Sequence, residues 1–496
     1  MGQESTQAEP PVLLPSGPVA GAGVHQTDAT VALPRIRGVV SLPRPRWAVS
    51  RSAAHVALGV LIVATLVVVA FAAIGPSVLV PESAFSFPNW EAGPLHGLLA
   101  GPLHHATMFS IGFSVLLVAM GAAYGIVLAA VRTLSMRTVV IFVLTAHAIL
   151  LLGPPLQLTD LFNYLGYARL GGLHHLNPYT HVIANEMHDP VYRFTSWHNL
   201  HSPYGPLFTA LSYPLGLMSL PVAYWLLKAV TVLTSLAFIW LVGKCARLLG
   251  RDPRFPVMFV AANPIYLMYA VAGFHNDFFM LVPSMAAIAL LLARRDRAAG
   301  AAVMVAVAVK FSAVLLLPFL LIAVRPNERR LRILAGAAIA TIPLAAISIA
   351  FFGLSMPNLV DQSTLLTDFS VPTVLGDLLG LGGGTPGLLR VANVALVIAV
   401  IYLLRRRRDW LTAAGWATLA LIVSLAWLVP WYVIWLLPLA ALGASVKLRR
   451  ATLVLTAYLV IGFMPATGML LSRHGINLMS GPAGQASMAR QQQLAG

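Results

Sequence analysis

The sequence has few charged residues and almost no cysteine. Charged residues make up 10% of its 496 positions and hydrophobic residues 58%, whereas a soluble domain carries about 25% charged residues. This shortage of charge excludes an ordinary soluble globular protein and indicates a polytopic membrane protein. The single cysteine, Cys245, excludes an intramolecular disulfide and any cysteine-based metal cluster.

Acidic residues are scarce as well, with 16 Asp and Glu against 32 Lys and Arg and a formal net charge of +16. In a soluble protein, a basic excess of this size suggests nucleic-acid binding. Here the basic residues cluster in short links between apolar runs, which is the positive-inside pattern of membrane proteins. We therefore expect the lipid bilayer as a partner and no nucleic acid.

Long apolar runs dominate the remainder of the chain. Runs of about 20 residues recur, and this length crosses a hydrocarbon core of about 30 Å. The pattern predicts an all-α polytopic bundle of about 11–13 transmembrane helices. The expected spans are residues 53–75, 107–132, 137–153, 221–245, 256–273, 278–293, 333–353, 388–404, 411–428, 431–446 and 451–471.

Two apolar segments do not fit a simple crossing. Residues 204–219 are short and rich in Pro and Gly, and a crossing there would place Lys244 outside, against the positive-inside rule. We interpret this segment as an interfacial or re-entrant helix. Residues 298–324 have basic links at both ends, so two half-length helices meeting near Lys310 satisfy the topology. The alternative is a misplaced span boundary.

The charge pattern also predicts the domains and their orientation. Residues 1–46 are rich in Pro, Ala and Gly and are expected to form a disordered cytoplasmic N-terminal tail. Residues 47–475 form the predicted membrane domain, and residues 476–496 a short flexible C-terminal tail. The loop that follows Asp160 is placed outside, so we expect a multi-pass protein of the cell membrane whose site faces outward.

Ionisable residues at membrane boundaries are the first candidates for chemistry, because desolvating them is costly and they tend to be functional. Asp160 follows an apolar run directly, and Asp277 lies at the outer tip of a predicted hairpin. For Asp160 the alternative is a helix N-cap or an interfacial anchor. Lys228 and Lys310 lie within apolar runs, where a charge costs roughly 2.5–3.5 kcal/mol. Each needs an anionic partner such as phosphate, or must reach water by snorkelling.

Polar motifs lie in the outer loop after Asp160. Asn177-Pro-Tyr179 and Ser202-Pro-Tyr-Gly-Pro206 are typical of turns, and the surrounding Tyr, His and Trp residues suit either sugar binding or an interfacial position. Paired histidines occur twice, but no His-x-x-x-His pair with a nearby carboxylate indicates a metal site. A divalent cation shared by Asp160 and Asp277 stays open, with no other cofactor expected.

Seven motifs occur in order over about residues 55–470. They are Asp160 with Tyr164, Asn177-Pro-Tyr179, Pro203-Tyr-Gly-Pro-Leu207, Gly273-Phe-His-Asn-Asp277, Lys310-Phe311, Pro372-Thr-Val-Leu375 and Pro430-Trp-Tyr432. This series resembles the polyprenyl-phosphomannose-dependent α-1,6-mannosyltransferase family, whose members are integral-membrane glycosyltransferases of the GT-C class. Asn177 stands where many members have Asp, so no charged role is expected there.

The resemblance implies an inverting enzyme that moves a hexose from a polyprenyl-phosphate donor to a cell-envelope glycan or glycolipid on the outer face. Mannose and an α-1,6 linkage are implied, with glucose and arabinose as alternatives. Asp160 is then the expected general base, and Lys228 and Lys310 contact the donor phosphate. The expected sugar- or acceptor-binding residues are Tyr164, Asn177, Tyr179, Tyr204, His275, Asn276, Asp277 and Trp431.

A transporter or flippase of a lipid-linked sugar is the competing function. Transporters often contain inverted repeats with paired broken helices, and the sequence shows one broken hairpin, at 298–324, without a counterpart in the first half. A structural role in an envelope complex leaves the outer carboxylates unexplained. The enzyme is the favoured interpretation.

Overall fold

The computed structural model describes residues 49–80, 87–98, 106–358, 365–406 and 409–496. The predicted tail at 1–46 lies outside these ranges, so its predicted disorder stays a prediction. Regular structure in the described ranges is helical, and none of the described residues lies in a β-strand. The predicted all-α membrane class is confirmed.

Helices of the first half follow the predicted apolar runs closely. They are α1 (Arg51–Ala72), α2 (Asn89–Ala92), α3 (Ala106–Ala130), α4 (Met136–Leu152), α5 (Asp160–Gly172), α6 (Pro206–Gly216), α7 (Leu220–Leu248), α8 (Arg254–Ala261), a π-helix (Tyr266–Val271) and α9 (Asp277–Leu292). The run predicted as one span at 256–273 is interrupted. Its Asn263-Pro264 step lies between α8 and the π-helix, and Oδ1 of Asn263 accepts a hydrogen bond from the Ile265 amide at 2.9 Å.

Helices of the second half are shorter and more often broken. They are α10 (Asp296–Val309), α11 (Leu316–Ile322), α12 (Asn327–Phe352), α13 (Val371–Leu378), α14 (Pro386–Arg405), α15 (Trp410–Ser424), α16 (Val433–Leu442), α17 (Val446–Phe463), α18 (Pro465–Arg473) and α19 (Pro482–Ala495). Short 3₁₀ turns at Phe311–Leu315 and Pro430–Tyr432 precede α11 and α16.

Five of the described helices are long and apolar enough to cross a membrane, or six if the bent pair of α17 and α18 is one span. Further apolar helices of 10–17 residues lie within other predicted spans but do not meet this length criterion. By this criterion the described residues give fewer full spans than the predicted 11–13. The segment at 204–219 forms α6, whose 11 residues extend about 16 Å, too short to cross.

The break predicted within 298–324 is confirmed. Helix α10 ends at Val309, and Lys310 adopts an extended conformation with φ −153° and ψ 120° before the 3₁₀ turn begins. The predicted single span at 451–471 differs from the structure, because the axis bends by 57° between α17 and α18. Pro465 begins α18, and proline interrupts helical hydrogen bonding at such a position.

The C-terminal segment also differs from its prediction. Residues 476–496 were expected to form a flexible tail, but they contain α19. Leu494 of α19 is buried with Leu200 and Leu365, and the amide of Asn199 donates a hydrogen bond to the Leu494 carbonyl at 2.9 Å. These tertiary contacts hold a polar, glutamine-rich helix in place.

Burial identifies the centre of the bundle. Every residue of α16 is buried, and the π-helix that precedes the 273–277 tip is buried throughout. In contrast, α14 has no buried residue and presents its apolar side chains outward, as expected for a lipid-facing helix. The candidate site lies at the ends of these central helices.

Candidate active site

Asp160 is the first residue of α5, and its side chain is 17% exposed. The preceding residue, Thr159, makes no capping hydrogen bond to the helix. Its hydroxyl donates instead to Ser196 in the loop that follows α5. The carboxylate is therefore held at the start of a helix, where the dipole favours negative charge, while one side stays open to solvent.

His275 approaches this carboxylate from the tip that joins the π-helix to α9. Its Nδ1 lies 3.3 Å from Oδ2 of Asp160, without the alignment of a regular hydrogen bond. The imidazole stacks on the Trp431 indole with ring centroids 3.9 Å apart and planes 10° apart. Phe274, just before it, has φ +51°, which is rare for a bulky residue and typical of functional sites.

Asn276 is buried next to His275. Its backbone amide donates to the Tyr164 hydroxyl at 3.2 Å, which fixes the tip to α5 one turn beyond Asp160. Its side-chain Nδ2 is enclosed and has no hydrogen-bond partner among the described residues. Leaving a buried donor unpaired costs about 1–3 kcal/mol, so this amide is a candidate for contact with a substrate hydroxyl.

Asp277 completes the tip and is bound on two sides. Lys310 Nζ lies 2.8 Å from its Oδ1, and the Trp435 indole N–H donates to the same oxygen at 2.6 Å. The Asp277 side chain is 1% exposed and that of Lys310 is 21% exposed. The ammonium also lies 5.0 Å from the ring centroid of Tyr432. Lys310 is therefore paired with a buried counter-ion, while part of its own side chain stays accessible.

The break at Lys310 is supported by the predicted Pro-Tyr-Gly-Pro motif. The Gly205 amide donates to the Val309 carbonyl at 3.0 Å. A Cβ at Gly205 would lie 2.3 Å from the Ala308 carbonyl oxygen and 2.7 Å from that of Val309. Only glycine permits so close an approach, so the motif and the end of α10 form one unit.

The other predicted sugar-binding residues divide into two groups. The Tyr204 ring packs edge-to-face on Tyr164 with centroids 5.0 Å apart, so it belongs to the site. The Asn177 side chain donates to the Phe352 carbonyl at 3.0 Å, and the Tyr179 hydroxyl donates to the Tyr204 carbonyl at 2.8 Å. Asn177 and Tyr179 thus brace the loop that carries Tyr204.

Lys228 lies behind the site and is fully buried. Its ammonium donates to the Gly153 carbonyl at 2.6 Å and lies 3.8 Å from the Trp225 ring centroid and 5.0 Å from that of Phe274. These contacts enclose the charge through a hydrogen bond and cation–π interactions. The predicted contact of Lys228 with donor phosphate stays a prediction, whereas the Lys310 side chain is partly exposed.

A largely buried ion pair organises the loop that follows α5. Arg169 Nε lies 2.7 Å from Oδ1 of Asp189, and Nε2 of His174 lies 2.7 Å from its Oδ2. Burial alone raises the pKa of the Asp189 carboxyl, but the hydrogen bonds from Arg169, His174 and the Val191 amide outweigh it and hold the pKa below its ordinary value. The loop that carries Ser196 and Tyr204 is thereby fixed to α5.

The divalent cation left open by the sequence fits this geometry poorly. Asp277 already binds the positive charge of Lys310, so it is a weak ligand for a further cation. Among the described residues, no group of three His, Cys, Asp or Glu side chains is arranged to hold a metal ion.

Trp435 is a site residue that the sequence analysis missed. It lies in the first turn of α16, four residues after Trp431 in the preceding 3₁₀ turn. That i, i+4 spacing after the Pro-Trp-Tyr motif was the available signal. Within one composite site the structure thus unites Asp160, His275, Asp277 and Lys310.

Two family models match the chain. The α-(1→6)-mannopyranosyltransferase N-terminal domain matches residues 22–326, and glycosyltransferase family 87 matches residues 203–472. The matches overlap on the segment that contains the 273–277 tip and Lys310, and together they cover the whole candidate site. No solved structure matches the chain significantly.

Relatives of known name are similar in sequence. The chain is 27% identical to α-(1→6)-mannopyranosyltransferase A of Mycobacterium tuberculosis, over 61% of this chain and 64% of the relative. It is 27% identical to the Corynebacterium glutamicum protein of the same name, over 34% and 35%. A second M. tuberculosis α-(1→6)-mannopyranosyltransferase is 26% identical, over 64% and 67%. The match thus spans less than two thirds of the length of the first two relatives.

Proposed function

Because this chain belongs to the α-(1→6)-mannopyranosyltransferase family, we propose that it is an integral-membrane glycosyltransferase. It transfers mannose, with inversion, from a polyprenyl-phosphate donor to a cell-envelope glycan or glycolipid, forming an α-1,6 linkage on the outer face of the membrane. The family membership supports the sugar and the linkage, and the site geometry supports the assignment of roles.

The convergence of a carboxylate and a cation on one short tip is the observation that carries this proposal. His275 contacts Asp160, and two residues later Asp277 binds Lys310. Glycosyl transfer needs a base for the acceptor hydroxyl and a positive charge for the departing phosphate. The contacts of residues 275–277 with Asp160 and Lys310 support this assignment of the two roles.

Asp160 is the general base of the proposed reaction. The acceptor oxygen attacks the anomeric carbon while its proton passes to the Asp160 carboxylate. The bond between the anomeric carbon and the phosphate oxygen breaks, and polyprenyl phosphate leaves with that electron pair. His275, held by its stacking on Trp431, lies 3.3 Å from the carboxylate and positions it for this step.

Lys310 binds the phosphate and stabilises the charge that develops on it. Its exposed face serves this role, while Asp277 and Trp435 fix its position. Preorganised charge in a low-dielectric site is worth more than the same charge in water. The proposed transfer has no metal-bound step.

The transferred sugar and the acceptor occupy the space between these two groups. Asn276 Nδ2 is the buried unpaired donor there and supplies a hydrogen bond to a sugar hydroxyl. Tyr164, Tyr204 and Trp431 line the site with aromatic rings, which suit the apolar faces of a hexose.

The competing transporter gains no support from the comparisons, whose names are those of mannosyltransferases. An enzyme assay separates the two functions. Membranes containing the protein are incubated with labelled polyprenyl-phosphate mannose, glucose and arabinose, each with an α-1,6-linked mannose acceptor. We expect label from mannose alone to appear in the lengthened glycan. Movement of intact donor across the membrane without transfer contradicts the proposal.

A further inference from the structure

Two tryptophans outside the catalytic cluster form a partly exposed pair. The rings of Trp197 and Trp427 meet edge-to-face with centroids 5.9 Å apart, and both side chains are half-buried. Neither indole N–H donates to a described residue, and neither nitrogen is enclosed. In contrast, the indole N–H groups of Trp225 and Trp435 are bound to protein oxygens. The pair therefore offers both a ring surface and free donors.

Trp197 is joined to the base through the loop after α5. Ser196, its neighbour, accepts hydrogen bonds from Thr159 and Asn163, and the Asn163 side chain accepts from the amides of Ser196 and Trp197. Thr159 directly precedes Asp160. The position of Trp197 is thus set by the residues that flank the carboxylate.

Trp427 is joined to the base from the other side. It lies three residues before Pro430, which begins the turn that places Trp431 on His275. The extended segment around Trp427 pairs with Thr367, whose amide donates to the Ala426 carbonyl at 3.1 Å. Two separate segments therefore meet at the tryptophan pair, and each leads to Asp160 or its partner.

The C-terminal helix α19 holds both segments together. On one side the His198 and Asn199 amides donate to the carbonyls of its last residues. On the other side the Leu366 amide donates to Ser487 Oγ at 2.7 Å, and Gln491 donates to the Leu366 carbonyl at 3.0 Å. Trp197 and Trp427 pack against the buried cluster that Leu494 forms with Leu200 and Leu365. The helix thus fixes the geometry of the pair.

We propose that Trp197 and Trp427 form an acceptor subsite, clamped by α19, that binds a sugar ring of the glycan acceptor next to the attacking hydroxyl. This inference rests on the proposed transfer function and adds to it where the acceptor binds. The ring surface takes the apolar face of a hexose, and the free indole N–H groups donate to its hydroxyls. Lys310, paired with Asp277, serves the donor and has no part in this subsite.

Acceptor and donor kinetics of Trp197→Ala and Trp427→Ala test the subsite. Each variant should raise the acceptor KM about five- to tenfold and leave the KM for polyprenyl-phosphate mannose unchanged. The acceptor KM of Trp197→Phe should lie between those of Trp197→Ala and the unchanged protein, since Phe keeps a smaller ring. Leu494→Ala, which loosens α19, should also raise the acceptor KM. Trp240→Ala, on the exposed surface of α7, is the matched control and should behave like the unchanged protein.

Binding is measured independently of transfer. Titration with α-1,6-linked mannotriose should give a saturable change in tryptophan fluorescence that Trp197→Ala and Trp427→Ala lose and Trp240→Ala keeps. Elution of each variant as a single species in detergent establishes that it folds. If Trp197→Ala does not fold, Trp197→Phe takes its place. Unchanged trisaccharide binding, or an unchanged acceptor KM in a transferring enzyme, overturns the subsite. Trisaccharide binding without transfer contradicts the proposed function alone.

Discussion

Lys310 and Asp277 form an ion pair of 2.8 Å that joins a broken helix to the tip of a buried hairpin. The carboxylate is inaccessible while part of the lysine is not, so the pair presents one positive face. The same tip places His275 against Asp160. We therefore expect a change at the ion pair to alter the position of the Asp160 carboxylate.

Replacing Lys310 with Met should raise the donor KM about thirtyfold, since a hydrogen bond to a charged group contributes about 2 kcal/mol. The single variant also leaves Asp277 as an unpaired buried charge. The double variant with Asp277→Asn removes that charge and serves as the control. If the double variant recovers the original donor KM, Lys310 only neutralises Asp277 and does not bind phosphate.

Lys228→Met distinguishes a structural role of the enclosed lysine from direct contact with the donor phosphate. Met keeps the volume but leaves the Gly153 carbonyl without its donor, a loss of about 1–3 kcal/mol. Since Lys228 also contacts Phe274, next to His275, we expect kcat to fall with the donor KM unchanged. A raised donor KM at constant kcat would instead establish the phosphate contact predicted from the sequence.

Gly205→Ala should weaken the unit formed by the Pro-Tyr-Gly-Pro motif and the end of α10. The added methyl would overlap the carbonyl oxygens of Ala308 and Val309, and such overpacking costs about 1–3 kcal/mol. We expect a lower melting temperature in detergent and a raised donor KM, because Lys310 follows directly. Gly59→Ala, where the new methyl would meet nothing within 4 Å, is the matched control and should retain both values.

Asp189→Asn should destabilise the loop that follows α5 at neutral pH, by about 3 kcal/mol, because it leaves the largely buried charge of Arg169 without its counter-ion. The folded-state pKa of Asp189 is depressed, so its contribution is present above the unfolded pKa of about 4 and is lost as pH falls through the lower folded value. Proteolysis of the loop at a series of pH values measures this. The difference in proteolysis rate between the unchanged protein and Asp189→Asn should shrink below pH about 4. A difference that stays constant with pH would contradict the stabilising role of the Asp189 carboxylate.

Some features of the fold were predictable because they follow from local pattern and charge. The break at Lys310 was expected, since basic links at both ends of 298–324 exclude a single crossing. The site motifs were also identifiable as sequence, and the structure brings Asp160, His275, Asp277 and Lys310 together.

Other features depend on tertiary contacts that no local pattern encodes. Helix α19 is polar, and it is held by the loop at 197–200 and by residues 365–366, which are distant in sequence. The buried environment of Lys228 could not be foreseen either, because its aromatic neighbours come from two segments. Trp435 contacts Asp277 across 158 positions of sequence, which single-sequence reasoning does not connect.

The rate of mannose transfer by Asp160→Asn determines whether Asp160 is the general base. The amide keeps the shape of the carboxylate but cannot accept the acceptor proton, so kcat should fall by about 10²–10⁴ while the KM for polyprenyl-phosphate mannose and the elution profile in detergent stay unchanged. Full transfer activity in a well-folded Asp160→Asn protein would contradict the assignment of Asp160 as the general base.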